Sequence, residues 1–301
     1  MERRRKNTEI KTIRSEWISE VIPVRDPEAH KGVFGRVLIA AGGAGMAGAA
    51  IFASRAALRT GSGLVYVTPA ASCIPVLQTA APEAICLSWE ASMEMIARTD
   101  APWTFDAVCF GPGMGTGAAR EKLRSLLRFY KGPVVIDADG LNIIAEVPAI
   151  REQILNDPGS IIMTPHIGEA RRLIQGYGVD VPEDREDMAC LLAALYRCII
   201  VLKGAGTLIA RPDGDLADAV EVWCNPTGNP GVATAGSGDV LTGVIGSLTG
   251  QSLTSWDAAR AGVFVHGYAG DMACAEKGER GMIASDIVES LPYALKELTG
   301  R

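Results

Sequence analysis

Residues 225–243 read NPTGNPGVATAGSGDVLTG, a stretch in which a glycine-rich turn leads directly into an apolar helix. Gly236, Ser237 and Gly238 carry little or no side chain, so their successive backbone N–H groups can converge on one point at the helix N-terminus. This arrangement predicts an anion hole. A fold that presents such a turn to a ligand is typical of α/β proteins, in which binding loops follow buried strands.

Asp239 stands immediately after this turn, in the first turn of the predicted helix. A carboxylate beside a bound phosphate is unfavourable unless it takes a proton from the nucleophile that attacks that phosphate. The alternative is that Asp239 only complements the helix dipole, which explains the carboxylate but not the glycines around it. The sequence therefore favours phosphoryl transfer with Asp239 as the general base.

Strand-like and helical runs alternate along the rest of the chain. The predicted strands are apolar on both faces, as buried parallel strands are, and span residues 36–41, 63–68, 107–110, 133–137, 160–164 and 198–203. Runs rich in Ala, Leu and Arg predict helices over residues 46–60, 118–130 and 185–196, and the chain from Gly238 onward is helical. Residues 207–211 and 220–223 flank a Pro-Asp-Gly turn and predict a β-hairpin. We expect a mostly parallel sheet between helices, in one domain over residues 31–301 after a polar lead of residues 1–30.

Glycine-rich loops follow the first and third predicted strands. Residues 42–48 read GGAGMAG, and residues 111–117 read GPGMGTG. The first lacks the dinucleotide-binding order G-x-G-x-x-G, and a tight strand–helix turn is its alternative interpretation. Four glycines in seven residues of the second loop are hard to explain by folding alone, because each glycine costs conformational entropy. Both loops are therefore candidates for ligand contact.

Polar residues follow the fourth predicted strand. Asp137, Asp139 and Asn142 could hold the water shell of Mg²⁺ or a polar substrate, although Asp139 could instead cap a helix. The fifth strand is followed by His166 and Glu169, whose alternatives are ligand binding and local hydrogen bonding at a helix start.

The sixth predicted strand ends in Lys203-Gly204-Ala205-Gly206-Thr207. A cation and a hydroxyl here bracket two glycines, a combination suited to the phosphates and ribose of a nucleotide. The order of these residues is not that of the G-x-x-x-x-G-K-[ST] phosphate loop.

The composition excludes several functional classes. The 301 residues carry a formal net charge of -6 and only 6% are aromatic, which disfavours nucleic-acid binding. Seven dispersed cysteines without a C-x-x-C pair are typical of reduced thiols, and three histidines without ligand spacing argue against a transition-metal centre. No apolar run reaches the length that spans a membrane, so we expect a cytoplasmic protein with no membrane partner.

Taken in order, these segments closely resemble the ADP/ATP-dependent NAD(P)H-hydrate dehydratases of the ribokinase superfamily. The resemblance runs from about residue 30 to the C-terminus and rests on residues 42–63, 111–115, 137–142, 164–169, 203–207 and 225–243. Ser237 stands where the family more often has Thr, and Val232 where Met is common. Neither change should impair a loop that acts through its backbone. The resemblance implies a ribokinase-like three-layer α/β/α fold.

The resemblance also implies a reaction and its residues. The family phosphorylates the C6 hydroxyl of the S-epimer of hydrated NADH or NADPH (NADHX or NADPHX) from ADP or ATP, with Mg²⁺, and phosphate then leaves. We expect ADP as the donor. The family pattern assigns substrate contacts to Ala50, Gly113, His166 and Asp239, nucleotide contacts to Lys203, Gly204, Ala205, Gly206, Thr207 and Gly238, the anion hole to Gly236, Ser237 and Gly238, and, more weakly, the Mg²⁺ and phosphate region to Asn142 and Glu169.

Other interpretations differ in their predicted products. A related kinase acting on a hydroxymethylpyrimidine or hydroxyethylthiazole would share the anion hole and the base but release a stable phosphorylated product. A nucleotide-binding module without turnover would gain nothing from Asp239 beside the phosphate. The leading residues are too few for the epimerase domain that many bacterial members carry, so we expect a separate epimerase as functional partner, and a homo-oligomer.

Overall fold

The apolar runs of the sequence form the strands of a mixed, mostly parallel sheet. The computed structural model describes residues 9–98, 105–214 and 219–301. Within them the strands are β1 (Ile10–Thr12), β2 (Arg36–Ala40), β3 (Leu64–Val67), β4 (Ile85–Cys86), β5 (Ala107–Phe110), β6 (Val134–Ile136), β7 (Ile161–Met163), β8 (Ile199–Leu202), β9 (Leu208–Pro212) and β10 (Val220–Cys224). Their order across the sheet is β1-β10-β9-β8-β7-β6-β5-β2-β3-β4. Only β9 among these strands runs antiparallel to its neighbours, β8 and β10.

Helices cover both faces of the sheet. They are α1 (Ser15–Val21), α2 (Ala47–Thr60), α3 (Ile74–Ala80), α4 (Trp89–Ala97), α5 (Ala119–Phe129), α6 (Asp139–Glu146), α7 (Pro148–Asn156), α8 (Ile167–Gln175), α9 (Arg185–Tyr196), α10 (Ser237–Gly250), α11 (Ser255–Lys277) and α12 (Ala284–Thr299). Helices α2, α10, α11 and α12 share one buried cluster with one face of the strands. The other face packs against α4 to α9. The result is three layers, helix on sheet on helix.

The strands are apolar on both faces because both faces are covered. In β2, Val37 and Ile39 join one core and Leu38 and Ala40 join the other, and all four are fully buried. This explains why the sequence shows continuous apolar runs instead of alternation. The six predicted strands, the three predicted helices and the hairpin are confirmed, with ends shifted by at most two residues.

A crevice is expected at the edge of the sheet where two neighbouring strands are followed by helices on opposite faces. Strand β2 lies between β3 and β5, and the helices after β2 and β5 lie on opposite faces. The loops that follow these two strands therefore diverge at the carboxyl edge of the sheet, the usual position for a ligand in such folds.

Helix α10 is held unusually close to the sheet by its glycines. A Cβ on Gly243 would lie 2.1 Å from the carbonyl oxygen of Ala53 in α2, and a Cβ on Gly246 would lie 2.2 Å from Sγ of Cys109 in β5. Because only glycine permits these approaches, α10 sits directly on the sheet.

The described part of the polar lead belongs to the folded structure. Ile10 pairs with Val222, so β1 extends the sheet in parallel with β10, and Ile18 of α1 is fully buried. The domain boundary at residue 30 stays a prediction, and Arg3, Arg4 and Arg5 lie outside the described residues. No helix in the described ranges is both long and apolar enough to cross a membrane.

Candidate active site

The anion hole predicted at residues 236–238 is the start of α10. Gly236 is the N-cap residue and has a φ of 91°, a left-handed conformation that favours glycine. A Cβ at this position would also lie 2.6 Å from the ring of Phe52. The first N–H groups of a helix have no carbonyl partner within it, so those at the start of α10 are available to an anion. The N–H of Ser237 also donates to the carbonyl of Thr234 in the preceding loop, at 3.3 Å.

A buried ion pair lies directly below this turn. Nζ of Lys203 donates to Oδ1 of Asp137 at 2.6 Å, and Oγ1 of Thr242 donates to Oδ2 of Asp137 at 3.0 Å. Oε2 of Glu169 is 3.9 Å from the same Nζ. A Cβ on Gly238 would lie 3.4 Å from Nζ, so the ammonium is close to the anion hole. Burial alone would lower the pKa of Lys203, but the two carboxylates outweigh it and raise that pKa, which keeps the ammonium charged.

Asp239 has the proton affinity of a general base. The pKa of its carboxyl is raised to about 7 by burial and, to a smaller extent, by the negative charge of Asp137, while the positive charge of Lys203 opposes both effects. A carboxyl that titrates near neutrality can both accept and release a proton under working conditions. The geometry thus combines an acceptor of protons with donors for an anion in one helical turn.

The two glycine-rich loops contact each other at the crevice. The N–H of Gly42 donates to the carbonyl of Pro112 at 2.9 Å. A Cβ on Gly111, whose φ is +126°, would lie 2.0 Å from the carbonyl oxygen of Asp137. The glycines of these loops therefore serve the close approach of three chain segments.

Asp139 does not cap α6 through its side chain. Ala138, at a φ of 47°, is the N-cap residue, and Oδ2 of Asp139 instead accepts from the N–H of Gly115 at 2.8 Å. The capping alternative was wrong because the N-cap position falls on Ala138, so Asp139 is already the first residue of the helix. Its carboxylate ties α6 to the second glycine-rich loop.

His166 is the N-cap of α8 and is half-exposed. Its Nδ1 accepts from the N–H of Gly168 at 2.9 Å, and Oε2 of Glu169 accepts from the N–H of His166 at 2.8 Å, which forms a reciprocal capping box. The His166 side chain retains 53% of its accessible surface. Both ring nitrogens have protein partners, because Nε2 lies 3.3 Å from Oε1 of Glu169, although about half of the side chain is exposed.

The loop of residues 203–207 is stabilised by a residue that the sequence did not indicate. Arg185, the first residue of α9, donates to the carbonyl oxygens of Ala205 and, at 3.3 Å, of Gly206. Oγ1 of Thr207 donates to the carbonyl of Gly204 at 3.0 Å. A cavity of about 460 Å³ adjoins the loop, lined by residues 183–186, Ala205, Gly206, Leu208 and Cys224. The cavity therefore lies beside the loop that the family pattern assigns to the nucleotide.

The structure also locates the remaining predicted residues. Ala50 is fully buried in the first turns of α2, and a Cβ on Gly42 would lie 2.9 Å from its Cβ, so the Ala50 methyl packs under the first loop. A Cβ on Gly113 would lie 3.0 Å from Cβ of Met46, which joins the two loops. The roles of Ala50 and Gly113 in substrate binding stay predictions.

The sequence did not predict the contacts of two further residues of the site. Thr242 binds Asp137, and Nε2 of His266 in α11 lies 3.2 Å from Oγ of Ser237. The spacing of Thr242, one helical turn after Asp239, was a usable signal because residues three apart share a helix face. His266 is 29 positions from Ser237, and no local pattern links them.

Asn142 and Glu169, which the family pattern assigns to the Mg²⁺ and phosphate region, both have protein partners in the structure. In the described ranges, no group of three or more His, Cys, Asp or Glu residues has the arrangement of a metal site. Oδ1 of Asn142 accepts from Nε of Arg172 at 3.0 Å, and Glu169 is engaged with His166 and Lys203. The assignment of Asn142 and Glu169 to the Mg²⁺ and phosphate region stays a prediction.

The fold and this placement of the site define a ribokinase-like protein. A ribokinase-like superfamily protein from Enterococcus faecalis superposes with a TM-score of 0.80 at 24% identity, covering 97% of each chain. A solved ADP/ATP-dependent NAD(P)H-hydrate dehydratase from Bacillus subtilis, co-crystallised with ATP and Mg²⁺, gives a TM-score of 0.79 at 30% identity over 96% of this chain and 99% of that one.

Sequence comparison narrows the class to one family. The NAD(P)H-hydrate dehydratase family matches residues 37–293. An ADP-dependent (S)-NAD(P)H-hydrate dehydratase from Neisseria meningitidis is 35% identical over 93% of this chain and 91% of its own length. A bifunctional NAD(P)H-hydrate repair enzyme from Moorella thermoacetica is 39% identical over 94% of this chain, which spans 53% of that relative. The chain belongs to the NAD(P)H-hydrate dehydratase family, and it spans about half the length of its bifunctional relatives.

Proposed function

We propose that this protein is a nucleotide-dependent (S)-NAD(P)H-hydrate dehydratase, a lyase that restores NADH or NADPH from its C6-hydrated form. The observation that carries the proposal is Asp239, a carboxyl with a pKa of about 7 in the first turn of α10, at a helix N-terminus that begins with a left-handed glycine. Family membership and the names of the relatives support the substrate. ADP is the expected donor.

In the first chemical step, Asp239 accepts a proton and the first turn of α10 binds the transferred phosphoryl group. Asp239 takes the proton of the C6 hydroxyl, and the freed oxygen attacks the terminal phosphorus of ADP, from which AMP leaves. The N–H groups of Gly236, Ser237 and Gly238 stabilise the charge on the transferred phosphoryl group. Lys203 supplies a fixed positive charge below the turn, which lowers the energy of the developing negative charge.

The second step returns the nicotinamide ring to its dihydro form. The C6–O bond breaks as inorganic phosphate leaves, electrons from the ring nitrogen assist the departure, and a proton is lost from C5. The sum is hydrated NADH plus ADP giving NADH, AMP and phosphate. A stable phosphorylated product, as a kinase would release, is not expected because the ring nitrogen drives phosphate out.

Magnesium enters this scheme with the nucleotide. Asp137 and Glu169 are engaged with Lys203, so the described side chains do not provide a ready carboxylate cage. We infer that Mg²⁺ is carried on the phosphates of ADP as part of the cosubstrate, as is common for nucleotide sites. An epimerase that interconverts the two C6 epimers would supply the S form. A cytoplasmic location and a homo-oligomer remain part of the proposal.

The direct test incubates the purified protein with (S)-NADHX, Mg²⁺ and either ADP or ATP, and follows the near-ultraviolet absorbance of the dihydronicotinamide. We expect NADH to form with ADP and not without nucleotide. Accumulation of a phosphorylated substrate without NADH would support the kinase alternative, and no reaction with either nucleotide would overturn the proposal.

A further inference from the structure

The loop that leads into α10 rests on one face of α11. This lead-in loop, residues 225–236, is tied to α11 near its start: Oδ2 of Asp271 accepts from the N–H of Gly228 at 2.9 Å, and Oδ1 of Asp271 accepts from Nδ2 of Asn229 at 2.9 Å. Oγ1 of Thr227 donates to the carbonyl of Phe264 at 2.9 Å. The beginning of the loop is thus fixed by charge-assisted and backbone hydrogen bonds.

Two glycines of α11, Gly267 and Gly270, lie where the loop crosses the helix. A Cβ on Gly267 would lie 2.3 Å from Oγ1 of Thr227, and a Cβ on Gly270 would lie 2.5 Å from Cγ2 of Val232. Loop and helix therefore pack at backbone distance, and the loop has little space in which to shift.

His266 holds the other end of the loop, on the same helix. Its Nε2 lies 3.2 Å from Oγ of Ser237, and both residues are more than nine-tenths buried. The pKa of His266 is lowered to about 4, mainly by burial; a hydrogen bond with the Ser237 backbone opposes this shift, and the positive charge of Lys203 adds to it. The imidazole is therefore neutral at physiological pH. It can share a hydrogen bond with the hydroxyl without adding a charge to the anion hole.

We propose that His266 is a positioning residue for phosphoryl transfer: through Oγ of Ser237 it fixes the first turn of α10, while Asp271 fixes the start of the lead-in loop. The reaction that this positioning would serve is the one given under the proposed function, so that part of the inference rests on it. The donors of an anion hole are effective only when they are aligned before the charge develops, because realignment during the reaction consumes the stabilisation that they provide. Helix α11 supplies that alignment from behind the site.

A double-mutant cycle tests whether His266 acts through Ser237. His266→Phe keeps a ring of similar size without the hydrogen bond, and Ser237→Ala removes the hydroxyl. We expect each single variant to lose about tenfold in kcat with a smaller change in KM, and the double variant to lose no more than either single. Losses that multiply to about a hundredfold would show independent roles and overturn the proposal.

Two conservative variants separate positioning from packing. His266→Gln places an amide near the position of Nε2, and Ser237→Thr keeps the hydroxyl, so both should stay within about threefold of the wild-type kcat. Tyr268→Phe is the matched control on α11, because it removes a hydrogen bond to Glu297 away from the loop. His266→Gln as slow as His266→Phe, at equal unfolding midpoints, would contradict the proposal.

A readout without turnover keeps this inference distinct from the proposed function. Amide hydrogen exchange at Val240, whose N–H donates to the carbonyl of Gly236 at 3.0 Å, should be about tenfold faster in ligand-free His266→Phe than in the wild type and unchanged in Tyr268→Phe. If the wild type does not form NADH, the dehydratase proposal fails while this measurement still decides the role of His266. Unchanged exchange at Val240 in His266→Phe would overturn the anchoring.

Discussion

The ammonium of Lys203 and the carboxylate of Asp137 form a buried ion pair, with 2.6 Å between Nζ and Oδ1, directly below the first turn of α10. Asp137 retains 2% of its side-chain surface and Lys203 retains 20%. Two strands that are not neighbours contribute the pair, since Asp137 follows β6 and Lys203 follows β8. The pair thus connects the middle of the sheet to α10, and it sets the charge that Asp239 and an incoming phosphoryl group experience.

Replacing Lys203 with Met should destabilise the protein by about 3 kcal/mol, because it leaves the buried Asp137 carboxylate without its partner. Chemical denaturation at neutral pH measures this change. The double variant Lys203→Met/Asp137→Asn removes both charges and should recover most of the loss. Equal stability of the wild type and Lys203→Met would contradict the coupling.

The turnover rate should depend on pH through Asp239. Its pKa of about 7 means that the carboxyl is protonated and inactive as a base at lower pH, so kcat should rise through about pH 7 and then level. Lys203→Met should move this rise to higher pH, since Lys203 opposes the upward shift of the Asp239 pKa. A kcat that is independent of pH from 5 to about 9, in steps where chemistry limits the rate, would exclude Asp239 as the base.

Asp239 should also weaken the fold at alkaline pH. Folding raises the pKa of Asp239 from 3.8 to about 7, so the folded state binds its proton more tightly than the unfolded state does. This contribution to the free energy of unfolding is complete below pH 3.8 and is lost as pH rises through 7. Asp239→Asn should therefore be more stable than the wild type above pH 7, by about 4 kcal/mol, and nearly equal to it in acid. Denaturant unfolding of both proteins across this range gives the comparison, and a constant difference at all pH values would contradict it.

Gly111 should tolerate no side chain. A Cβ would meet the carbonyl oxygen of Asp137 at 2.0 Å, and φ is +126°, so Gly111→Ala should lose about 2–4 kcal/mol of stability and displace Asp137. Gly117→Ala is the matched control in the same loop, since a Cβ there meets no atom within 4 Å and φ is not positive. It should change stability by less than about 0.5 kcal/mol. Similar unfolding midpoints for the two variants would count against the close approach.

Arg185 should affect nucleotide affinity more than turnover. It holds the carbonyls of Ala205 and Gly206, so Arg185→Ala should raise the Kd of Mg²⁺-ADP about tenfold while kcat at saturation falls less than threefold. Titration calorimetry measures the affinity, and Arg171→Ala, at an exposed position on α8, is the control. An unchanged Kd in Arg185→Ala would indicate that the loop of residues 203–207 does not contribute to nucleotide binding.

The sequence predicted the central sheet well because its strands are buried on both faces. Residues 107–110 were placed without error, since a short apolar run between polar segments has few other stable positions. It did not predict β1 or β4, whose three and two residues carry too little pattern to stand out. Ile10 of the polar lead joins the sheet through backbone pairing with β10, and its polar neighbours in the sequence give no strand pattern that would predict this.

The anion hole and Asp239 could be anticipated because the residues that form them are consecutive. The residues that set the charge and the position of this site could not be anticipated in the same way. Asp137, Lys203 and His266 come together only through the strand order and the helix packing. Lys203 shows the difference most clearly. Its position after a strand indicated a nucleotide phosphate, whereas the folded chain engages its ammonium with Asp137 and Glu169.

The most direct test of the central claim is the turnover of Asp239→Asn with (S)-NADHX and Mg²⁺-ADP, measured beside its affinity for ADP. The account predicts that the variant binds ADP with a Kd within about threefold of the wild type and forms NADH at least a thousandfold more slowly, about the loss expected when a general base is removed. Turnover within tenfold of the wild type, at saturating substrate, would contradict the assignment of Asp239 as the base that starts the reaction.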